Sequence, residues 1–424
     1  MPALCSWSSA YSSISSTVRI LAATAALLTT TAATAHRDHR AQGSFAITTP
    51  AGPYFAQSRV PIVVQGASAG YALSLIGAGH LENGIYVAPE VRSPQDVSVV
   101  AASQQAFALS ELQIVPAPAP TAGLIAVATY YSGIALHGMR DFSMLGLQAF
   151  SGAPAGVAMD ERGNIYTCAT DGSTFFRILR DPWGMQQAPG VPLGNEVAFD
   201  SREGSVFVSN RDVGGGRGAL TRIRGTQVTR VETGITAEGL ALDERRHRIF
   251  VGNVNDASVT EIDTRTLGVT RTIPTVARTF GIAVDPQRNR LFAVSNQDRE
   301  MHKDGGFVVL IDLAPTRGRI IARSAPIAFP LGAAYDVRRQ RLFVTDEDSG
   351  QVYVLSATTL RREHAPLRAC AVPWLPHLDQ RTRRLYVPCA RANKVAVFDA
   401  DSLLPIRGTP FATGAYPLSV ATPP

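Results

Sequence analysis

Residues 239–256 read GLALDERRHRIFVGNVND and residues 281–298 read GIAVDPQRNRLFAVSNQD, so one pattern recurs after roughly forty residues. Four more copies are GVAMDERGNIYTCATD (156–171), EVAFDSREGSVFVSNRD (196–212), GAAYDVRRQRLFVTDED (332–348) and LPHLDQRTRRLYVPCAR (375–391). Each copy predicts two short strands joined by a tight turn, and a third and a weaker fourth strand follow it. Four strands at this period are the signature of a β-propeller blade.

Three positions of the repeat carry residue types that suit a blade. An aspartate ends the first strand and can cap the following turn through its carboxylate. An aromatic residue comes second in the next strand, where a large ring fills the wedge between blades. A small alanine precedes the aspartate by two residues in five copies, because the inner strands crowd near the axis. The aspartates are Asp160, Asp200, Asp243, Asp285, Asp336 and Asp379, and the aromatic residues are Tyr166, Phe207, Phe250, Phe292, Phe343 and Tyr386.

Six copies do not complete a ring. The C-terminal segment YPLSVATPP (416–424) reads as an inner strand, and residues 124–150 read as three strands with no inner strand before them. Pairing these two segments makes a seventh blade and leaves no open sheet edge. The sequence therefore predicts an all-β protein with a seven-bladed β-propeller over residues 124–424.

The pattern D-x-x-x-x-R-(I/L)-(F/Y)-V-x-(N/D) resembles the YVTN or YncE-type propeller repeats of exported bacterial proteins. This resemblance implies the propeller fold for the repeat region. Relatives of this type include surface proteins, lactonase-like enzymes and proteins of unknown role. The resemblance therefore implies no single activity.

The N-terminal segment has the features of a secretory signal peptide. Arg19 precedes the apolar run ILAATAALL, and the tripeptide Ala33-Thr34-Ala35 follows as a cleavage site. We therefore predict a signal peptide at residues 1–35 and a periplasmic or secreted location. The apolar run is too short to span a membrane, and no later run reaches about 18 apolar residues, so no transmembrane segment is expected.

Residues 44–115 predict a small β-sandwich of short alternating strands: FAITT, RVPIVVQG, YALSLIG, GIYVAP, DVSVVAAS and FALSELQIV. Asn83-Gly84 between two of these favours a tight hairpin turn. The run GAGHLENGIYVAPEVRSPQDVSVVAAS (77–103) resembles bacterial Ig-like domains, which implies a spacing or presenting role. Residues 116–123 are rich in Pro and Ala, which is the composition of a semi-rigid linker.

Three cysteines follow the predicted signal peptide: Cys168, Cys370 and Cys389. In an oxidising compartment the simplest allocation is one disulfide and one buried thiol. We expect Cys370 to pair with Cys389, because both end strands of neighbouring blades on the same side of the propeller. Cys168 lies in the first repeat and should remain unpaired.

The formal net charge of +6 is carried almost entirely by arginine. Arginines fill the turns between first and second strands, whereas the loops after the second strands are rich in Asp and Asn. The basic turns suit either an anionic polymer or plain support of the turns, and we favour the second interpretation. Nucleic acid is not expected as a partner of an exported protein.

Ligands of propellers usually bind where the inner strands begin, near the axis. Alignment on the repeat aspartate places aromatic, acidic and amide side chains at this position. In the second copy, Glu196 occupies the next position, where most other copies have a glycine. His377 occupies the alanine position of the sixth copy. Aromatic faces beside acidic groups suit a sugar ring, a lactone or a cationic ligand. The predicted ligand-binding residues are Asn195, Glu196, Glu238, Phe280, Trp374, His377 and Tyr416.

Two functions remain open at this point. The first is a non-catalytic binding protein that takes a small molecule or an envelope protein at the axial mouth, without a cofactor. The second is a metal-assisted, lactonase-like hydrolase or lyase, with Asn195, Glu196 and Glu238 as oxygen ligands of a divalent ion such as Ca or Mn. His302, in the long loop 296–306, and His377 are the histidines that a lyase-like site would use.

Overall fold

The computed structural model describes residues 45–67, 70–104, 106–296, 305–314 and 316–424. The predicted signal peptide lies outside these ranges, and so does the loop segment 297–304 with His302. Within them the regular structure consists of β-strands and two 3₁₀ turns, Glu244–Arg246 and Ala390–Ala392, so the all-β prediction is confirmed. In this described part of the chain, no helix has the length and apolar character needed to cross a membrane.

The chain divides into two compact units, and the first holds the described residues up to Ala117 together with Leu147–Ser151. Its strands before residue 118 are β1 (Ala46–Thr48), β2 (Arg59–Pro61), β3 (Val63–Gln65), β4 (Ala72–Ile76), β5 (His80–Glu82), β6 (Ile85–Val87), β7 (Gln95–Ala102) and β8 (Phe107–Ile114). They pair in the orders β1-β3, β2-β6-β5 and β4-β7-β8. Tyr86 and Val99 are fully buried in its core. The Ig-like assignment of this unit stays a prediction.

The predicted hairpin at Asn83-Gly84 is present. Asn83 (φ 50°) and Gly84 (φ 77°) join β5 to β6, and two successive positive φ angles are what the favoured hairpin turn requires. The segment RVPIVVQG, expected to be one strand, forms two strands in different sheets: β2 pairs with β6, and β3 pairs with β1. Pro61 lacks the N–H that a continuing ladder needs, and the chain changes sheet directly after it.

Seven four-stranded antiparallel sheets form the blades of a β-propeller, and their residues belong to the second unit except for Leu147 and Gln148. The predicted seven-bladed fold is thereby confirmed. Blades 1 to 3 consist of β12 (Pro154–Met159), β13 (Ile165–Ala169), β14 (Thr174–Arg180) and β15 (Trp183–Pro189); β16 (Gly194–Asp200), β17 (Ser205–Asn210), β18 (Arg217–Arg224) and β19 (Gln227–Ile235); and β20 (Ala237–Asp243), β21 (Arg248–Asn253), β22 (Ser258–Asp263) and β23 (Val269–Pro274). Blades 4 to 6 consist of β24 (Thr279–Asp285), β25 (Arg290–Ser295), β26 (Phe307–Asp312) and β27 (Arg319–Arg323); β28 (Pro330–Asp336), β29 (Arg341–Asp346), β30 (Gln351–Ser356) and β31 (Leu367–Arg368); and β32 (His377–Asp379), β33 (Arg384–Cys389), β34 (Lys394–Asp399) and β35 (Phe411–Ala412). Blade 7 combines β9 (Leu124–Thr129), β10 (Gly133–Gly138) and β11 (Met144–Gln148) with the last strand, β36 (Pro417–Ala421).

Blade 7 closes the ring with strands from two distant parts of the sequence. β36 pairs antiparallel with β9, so that Pro417 lies opposite Thr129 and Ala421 opposite Ala126. The inner strands contact one another in the order β12, β16, β20, β24, β28, β32 and β36, and β36 contacts β12 again. The ring is therefore continuous, with no open edge between its first and last blades.

The repeat aspartates cap their turns as predicted. In blade 5, Oδ1 of Asp336 accepts hydrogen bonds from the backbone amides of Arg338 (3.0 Å) and Arg339 (3.1 Å). The corresponding carboxylate-to-amide bonds form at Asp160, Asp200, Asp243, Asp285 and Asp379. The aromatic residues of the six repeats are buried as well: Tyr166 is 5% exposed, and the other five are 0% exposed.

Several arginines of the basic turns join neighbouring blades. Nη2 of Arg248 in blade 3 donates to Oδ2 of Asp243 (2.7 Å) and to Oδ1 of Asn289 in blade 4 (2.8 Å). Arg384 in blade 6 donates to the carbonyl oxygen of Met139 in blade 7 (2.5 Å). These contacts favour the interpretation that the arginines support turns and bind blades together.

The expected disulfide between Cys370 and Cys389 is present, with the two Cα atoms 5.7 Å apart. It links the segment after β31 of blade 5 to the end of β33 in blade 6. Cys168 is a buried free thiol, and its burial raises its pKa. The predicted allocation of the three cysteines is confirmed.

Candidate functional site at the axial mouth

The axial mouth is the end of the propeller at which the inner strands begin. In six of the seven described inner strands the pairing register shifts by one residue there, as in a β-bulge, which re-aims side chains at the end of a strand. In each blade one residue, at the start of the inner strand or a few residues before it, pairs with the end of the second strand. We call the residue that directly follows it the ring position. The ring positions are Ala155, Asn195, Glu238, Phe280, Leu331, Trp374 and Leu418.

The register corrects the predicted place of Tyr416. Pro417 pairs with the last residue of β9, as Gly194 pairs with the last residue of β17, so Leu418 corresponds to Asn195. The predicted ring position of Tyr416 is therefore wrong by two residues. The closing strand lacks the repeat aspartate that guides the alignment, because Pro423 stands in its place.

Backbone crowding explains the glycine that follows the ring position in most blades. A Cβ atom at Gly239 would collide with the carbonyl oxygen of Phe280 in the next blade, and one at Gly281 would collide with that of Leu331. Neighbouring inner strands thus approach each other backbone to backbone. The glycines at this position are Gly156, Gly239, Gly281 and Gly332.

Blade 2 departs from this pattern with Glu196, which is half-buried. Its side chain crosses to blade 3, where Oε2 accepts a hydrogen bond from the backbone amide of Leu240 (2.8 Å). Burial raises the pKa of the Glu196 carboxyl to about 8; the Leu240 amide opposes this rise and the charge of Glu238 adds to it. A glutamic acid that keeps its proton near neutral pH therefore lies at the mouth.

The polar side of the mouth is a buried ion pair between blades 2 and 3. Glu238 is 4% exposed; its Oε1 lies 2.7 Å from Nε of Arg211, and its Oε2 accepts from Nη2 of Arg211 (3.0 Å). Nδ2 of Asn195 donates to the same Oε2 (2.5 Å). Burial raises the pKa of Glu238, and the positive charges of Arg211 and Arg278 oppose this. The Glu238 carboxylate is thus engaged through both oxygens.

The aromatic side of the mouth lies at blades 6 and 7. The ring of Tyr416 packs edge-on against Tyr130 (6.2 Å between centroids) and Tyr131 (5.6 Å). Tyr130, Tyr416 and Trp374 are half-buried and pack against one buried apolar cluster. The members of that cluster are Ala155, Val372, Ala390 and Leu418.

Two residues of the mouth, Arg211 and Tyr130, are absent from the sequence prediction. Each directly follows the second strand of its blade, so the two are equivalent positions of the repeat. A comparison of this position across the blades would have singled them out, since most other blades carry a small or uncharged residue there. The seven residues are Thr170, Arg211, Val254, Asn296, Glu347, Ala390 and Tyr130.

The remaining predicted residues, Phe280 and His377, lie outside the polar and the aromatic groups. Phe280 is half-buried at the ring position of blade 4. His377 lies opposite Tyr386 in the alanine position of blade 6, and its Nε2 is 2.9 Å from Oγ1 of Thr422. The structure thus groups Asn195 with Glu196 and Glu238, and groups Trp374 with Tyr416. It places His377 between blades 6 and 7.

Two histidines hold both ends of the segment that closes the ring. His377 contacts Thr422 after β36, and Nε2 of the buried His137 lies 2.9 Å from Oγ1 of Thr413 before β36. Burial lowers the pKa of each to about 4; the Phe142 carbonyl opposes this at His137, and the charge of Asp379 opposes it at His377. Both imidazoles are therefore neutral in the folded protein at neutral pH.

These histidines predict acid sensitivity. Between pH 6.5 and pH 4 these histidines are protonated in the unfolded chain but remain neutral in the folded protein. The free energy of unfolding therefore decreases as the pH falls below 6.5. We expect His137→Gln to reduce the drop in free energy of unfolding between pH 7 and pH 4 by roughly 2 kcal/mol. Urea unfolding at both pH values measures it, with the surface variant His364→Gln as control. An unchanged drop in His137→Gln would contradict the prediction.

Several Asp and Asn side chains of the loops at the mouth bind backbone groups. Oδ1 of Asp346 accepts from the amide of Phe329 (2.8 Å), and Oδ2 of Asp256 accepts from that of Ile235 (2.6 Å). Nδ2 of Asn210 donates to the carbonyl of Pro192 (2.7 Å). They hold the loops that lead into the inner strands, so they act as local supports of the mouth.

The predicted metal ligands do not form an open ligand set. Glu238 is engaged by Arg211 and Asn195, and one oxygen of Glu196 is engaged by the Leu240 amide. Across the described ranges no three His, Cys, Asp or Glu side chains form a group suited to a metal ion. The residues that a lactonase-like metal site would use therefore do not fit one in this arrangement.

No model of a known protein family matches this sequence. No curated protein sequence matches it either. Its fold is similar to a protein of unknown function from Desulfotomaculum acetoxidans (12% identity, TM-score 0.56), over 69% of this chain and 98% of that one. It is also similar to the hydrazine synthase of Kuenenia stuttgartiensis (12% identity, TM-score 0.57), over 72% of this chain and 92% of that one. At this level of identity the similarities show that the chain shares a β-propeller fold with these proteins, and nothing about its activity.

Proposed function

We propose that this chain is an exported, non-catalytic binding protein of the cell envelope, whose axial mouth takes a small ligand or a short segment of a partner. Export is supported by the signal-peptide pattern of residues 1–35. Binding at the mouth is supported by the two groups of side chains that lie there, one polar and one aromatic. The YVTN or YncE-type resemblance of the repeats agrees with an envelope location.

One observation carries the proposal: the half-buried aromatic group Trp374, Tyr130 and Tyr416 on the apolar cluster of the mouth. The aromatic residues that are buried in the wedges between blades are separate from this group. Partly exposed aromatic faces that lie together at one end of a rigid scaffold are typical of ligand-binding surfaces. The mouth therefore offers a partly exposed aromatic surface on which a ligand can pack.

Binding is favoured over hydrolysis by the state of the polar residues. Glu238 is held by Arg211 and Asn195, so it is not free to act as a base or a metal ligand. The imidazole of His377 contacts Thr422, away from the carboxylates of blades 2 and 3. Within the described part of the chain no observation favours the lactonase-like alternative.

The proposal predicts that ligand retention depends on Trp374. Purified protein is mixed with a small-molecule extract of culture medium, desalted, and the retained compounds are identified by mass spectrometry. Trp374→Ala should lower retention roughly tenfold by removal of a stacking surface, and Trp374→Phe should keep most of it. Arg338→Ala, on the opposite face, is the matched control and should retain as the parent does.

Two results would contradict this assignment. One is retention that survives Trp374→Ala and is lost in Arg338→Ala, which would place the site on the basic face. The other is no retained compound in any variant together with no binding of defined ligands. Circular dichroism of each variant shows that the folded state persists at the temperature of the assay.

A further inference from the structure

Glu196 is the residue of the mouth that the fold explains least. Crowding selects glycine at this position in four other blades, whereas blade 2 carries a long acidic side chain. Oε2 of Glu196 accepts from the Leu240 amide, and among the described residues Oε1 has no hydrogen-bond partner. One oxygen of Glu196 is thus anchored and the other remains available at the mouth.

A second polar atom at the mouth also lacks a partner. Nε1 of Trp374 is buried, and within the described residues nothing accepts its hydrogen bond. A buried donor without an acceptor costs free energy unless a bound molecule supplies one. Glu196 in blade 2 and Trp374 in blade 6 therefore offer two unused polar groups at the mouth, and blades 6 and 7 add aromatic faces.

We infer that Glu196 and Trp374 recognise an uncharged, oxygen-rich ligand of the oligosaccharide class, with Oε1 of Glu196 and Nε1 of Trp374 as the polar contacts. This inference rests on the proposed function of the mouth. Sugar hydroxyls both donate and accept hydrogen bonds, so they match both groups, and the apolar faces of sugar rings stack on Trp and Tyr side chains. The ion pair of Glu238 with Arg211 carries no net charge, which favours an uncharged ligand beside it.

The proton of Glu196 determines how binding responds to pH. The charged group that acts on this carboxyl is Glu238 on β20, and the charges of Arg211 after β17 and Arg278 before β24 act in turn on Glu238. With a pKa of about 8, Glu196 is protonated at pH 6.5 and donates a hydrogen bond from Oε1. Above pH 8 the carboxyl ionises and the donor is lost, so affinity for a neutral sugar should fall as the pH rises.

The experiment titrates the purified full-length exported protein by calorimetry with three hexasaccharide probes that share one backbone. They are an N-acetylglucosamine hexamer, its trimethylammonium derivative and its sulfated derivative, whose charges do not change with pH. We expect the neutral hexamer to bind and its affinity to fall about fivefold from pH 6.5 to pH 9. Glu196→Gln should bind with an affinity that no longer depends on pH, because an amide keeps the donor. Glu161→Gln, an exposed control, should keep the profile of the parent.

Each other outcome overturns the inference. A flat profile in the parent, or a pH dependence that persists in Glu196→Gln, shows that Glu196 does not contact the ligand. Preference for the trimethylammonium hexamer shows an open carboxylate and a cation site. If no hexamer binds although culture-medium compounds are retained through Trp374, the ligand class is wrong and the binding function stands. If Trp374-dependent retention also fails, the binding function itself is wrong.

Discussion

A chain that lacks residues 415–424 is expected to lose cooperative folding. This deletion removes β36, every residue of which is buried, and exposes β9 and the facing sides of β12 and β32. The burial of Leu418 and Val420 alone contributes about 1.5–3 kcal/mol each, which is a large part of the 5–15 kcal/mol that stabilises a typical domain. It also removes the hydrogen bond from Oγ of Ser419 to the Ala155 carbonyl (2.6 Å) across the closure.

The matched control lacks only Pro423 and Pro424, which follow Thr422 and its contact to His377. Chemical unfolding followed by circular dichroism and by tryptophan fluorescence should give one sharp transition for the parent and the control. The longer deletion should give a broad transition or none. A truncated protein that unfolds at the same denaturant concentration as the parent would show that the ring does not depend on this pairing.

Arg383→Ala is expected to destabilise the propeller by about 3–5 kcal/mol. Arg383 in blade 6 is 7% exposed; its Nη1 and Nη2 donate to the two carboxylate oxygens of Asp336 in blade 5 (2.9 and 2.6 Å). Asp336 is fully buried, so loss of the guanidinium leaves a buried carboxylate with only its turn amides. Burying a charge without a counterion costs far more than an exposed pair contributes.

Arg338→Ala tests the same turn face without the buried pair. Its side chain is 66% exposed and lies 3.8 Å from Asp401, so its loss should change stability by less than about 1 kcal/mol. Asp336→Asn added to Arg383→Ala should recover part of the loss, because the stranded charge is gone. Urea midpoints of the four proteins measure these differences. Equal midpoints for Arg383→Ala and Arg338→Ala would refute the role assigned to the blade-to-blade pair.

Much of the propeller fold can be predicted from the sequence, because the interactions that define each repeat join residues that are close in the chain. The carboxylate of Asp160 or Asp285 caps a turn only a few residues away, and one aromatic residue per repeat marks each blade. The same periodicity identifies positions that depart from the pattern. Glu196 is such a departure, and it follows the variable position that holds Asn195, Glu238 and Trp374 in their blades; the structure places these residues at the mouth.

Other features depend on which residues meet across blades, and no local pattern carries that information. The pair of Glu238 with Arg211 joins blades 2 and 3, and that of Arg383 with Asp336 joins blades 6 and 5. Arg211 and Tyr130 enter the mouth only because the ring brings the ends of second strands next to the inner strands. Their contacts follow from the closure of the ring rather than from sequence spacing.

The closing strand β36 separates what the sequence pattern determines from what only the tertiary structure determines. The hydrophobic pattern of residues 416–424 by itself determines that an inner strand is present and that it completes a seventh blade. Its register, which puts Leu418 rather than Tyr416 at the ring position, is decided by pairing with β9 and by the bulge near Leu418. With no aspartate to end this strand, only the three-dimensional fit of β36 between β9, β12 and β32 determines which side chains reach the mouth.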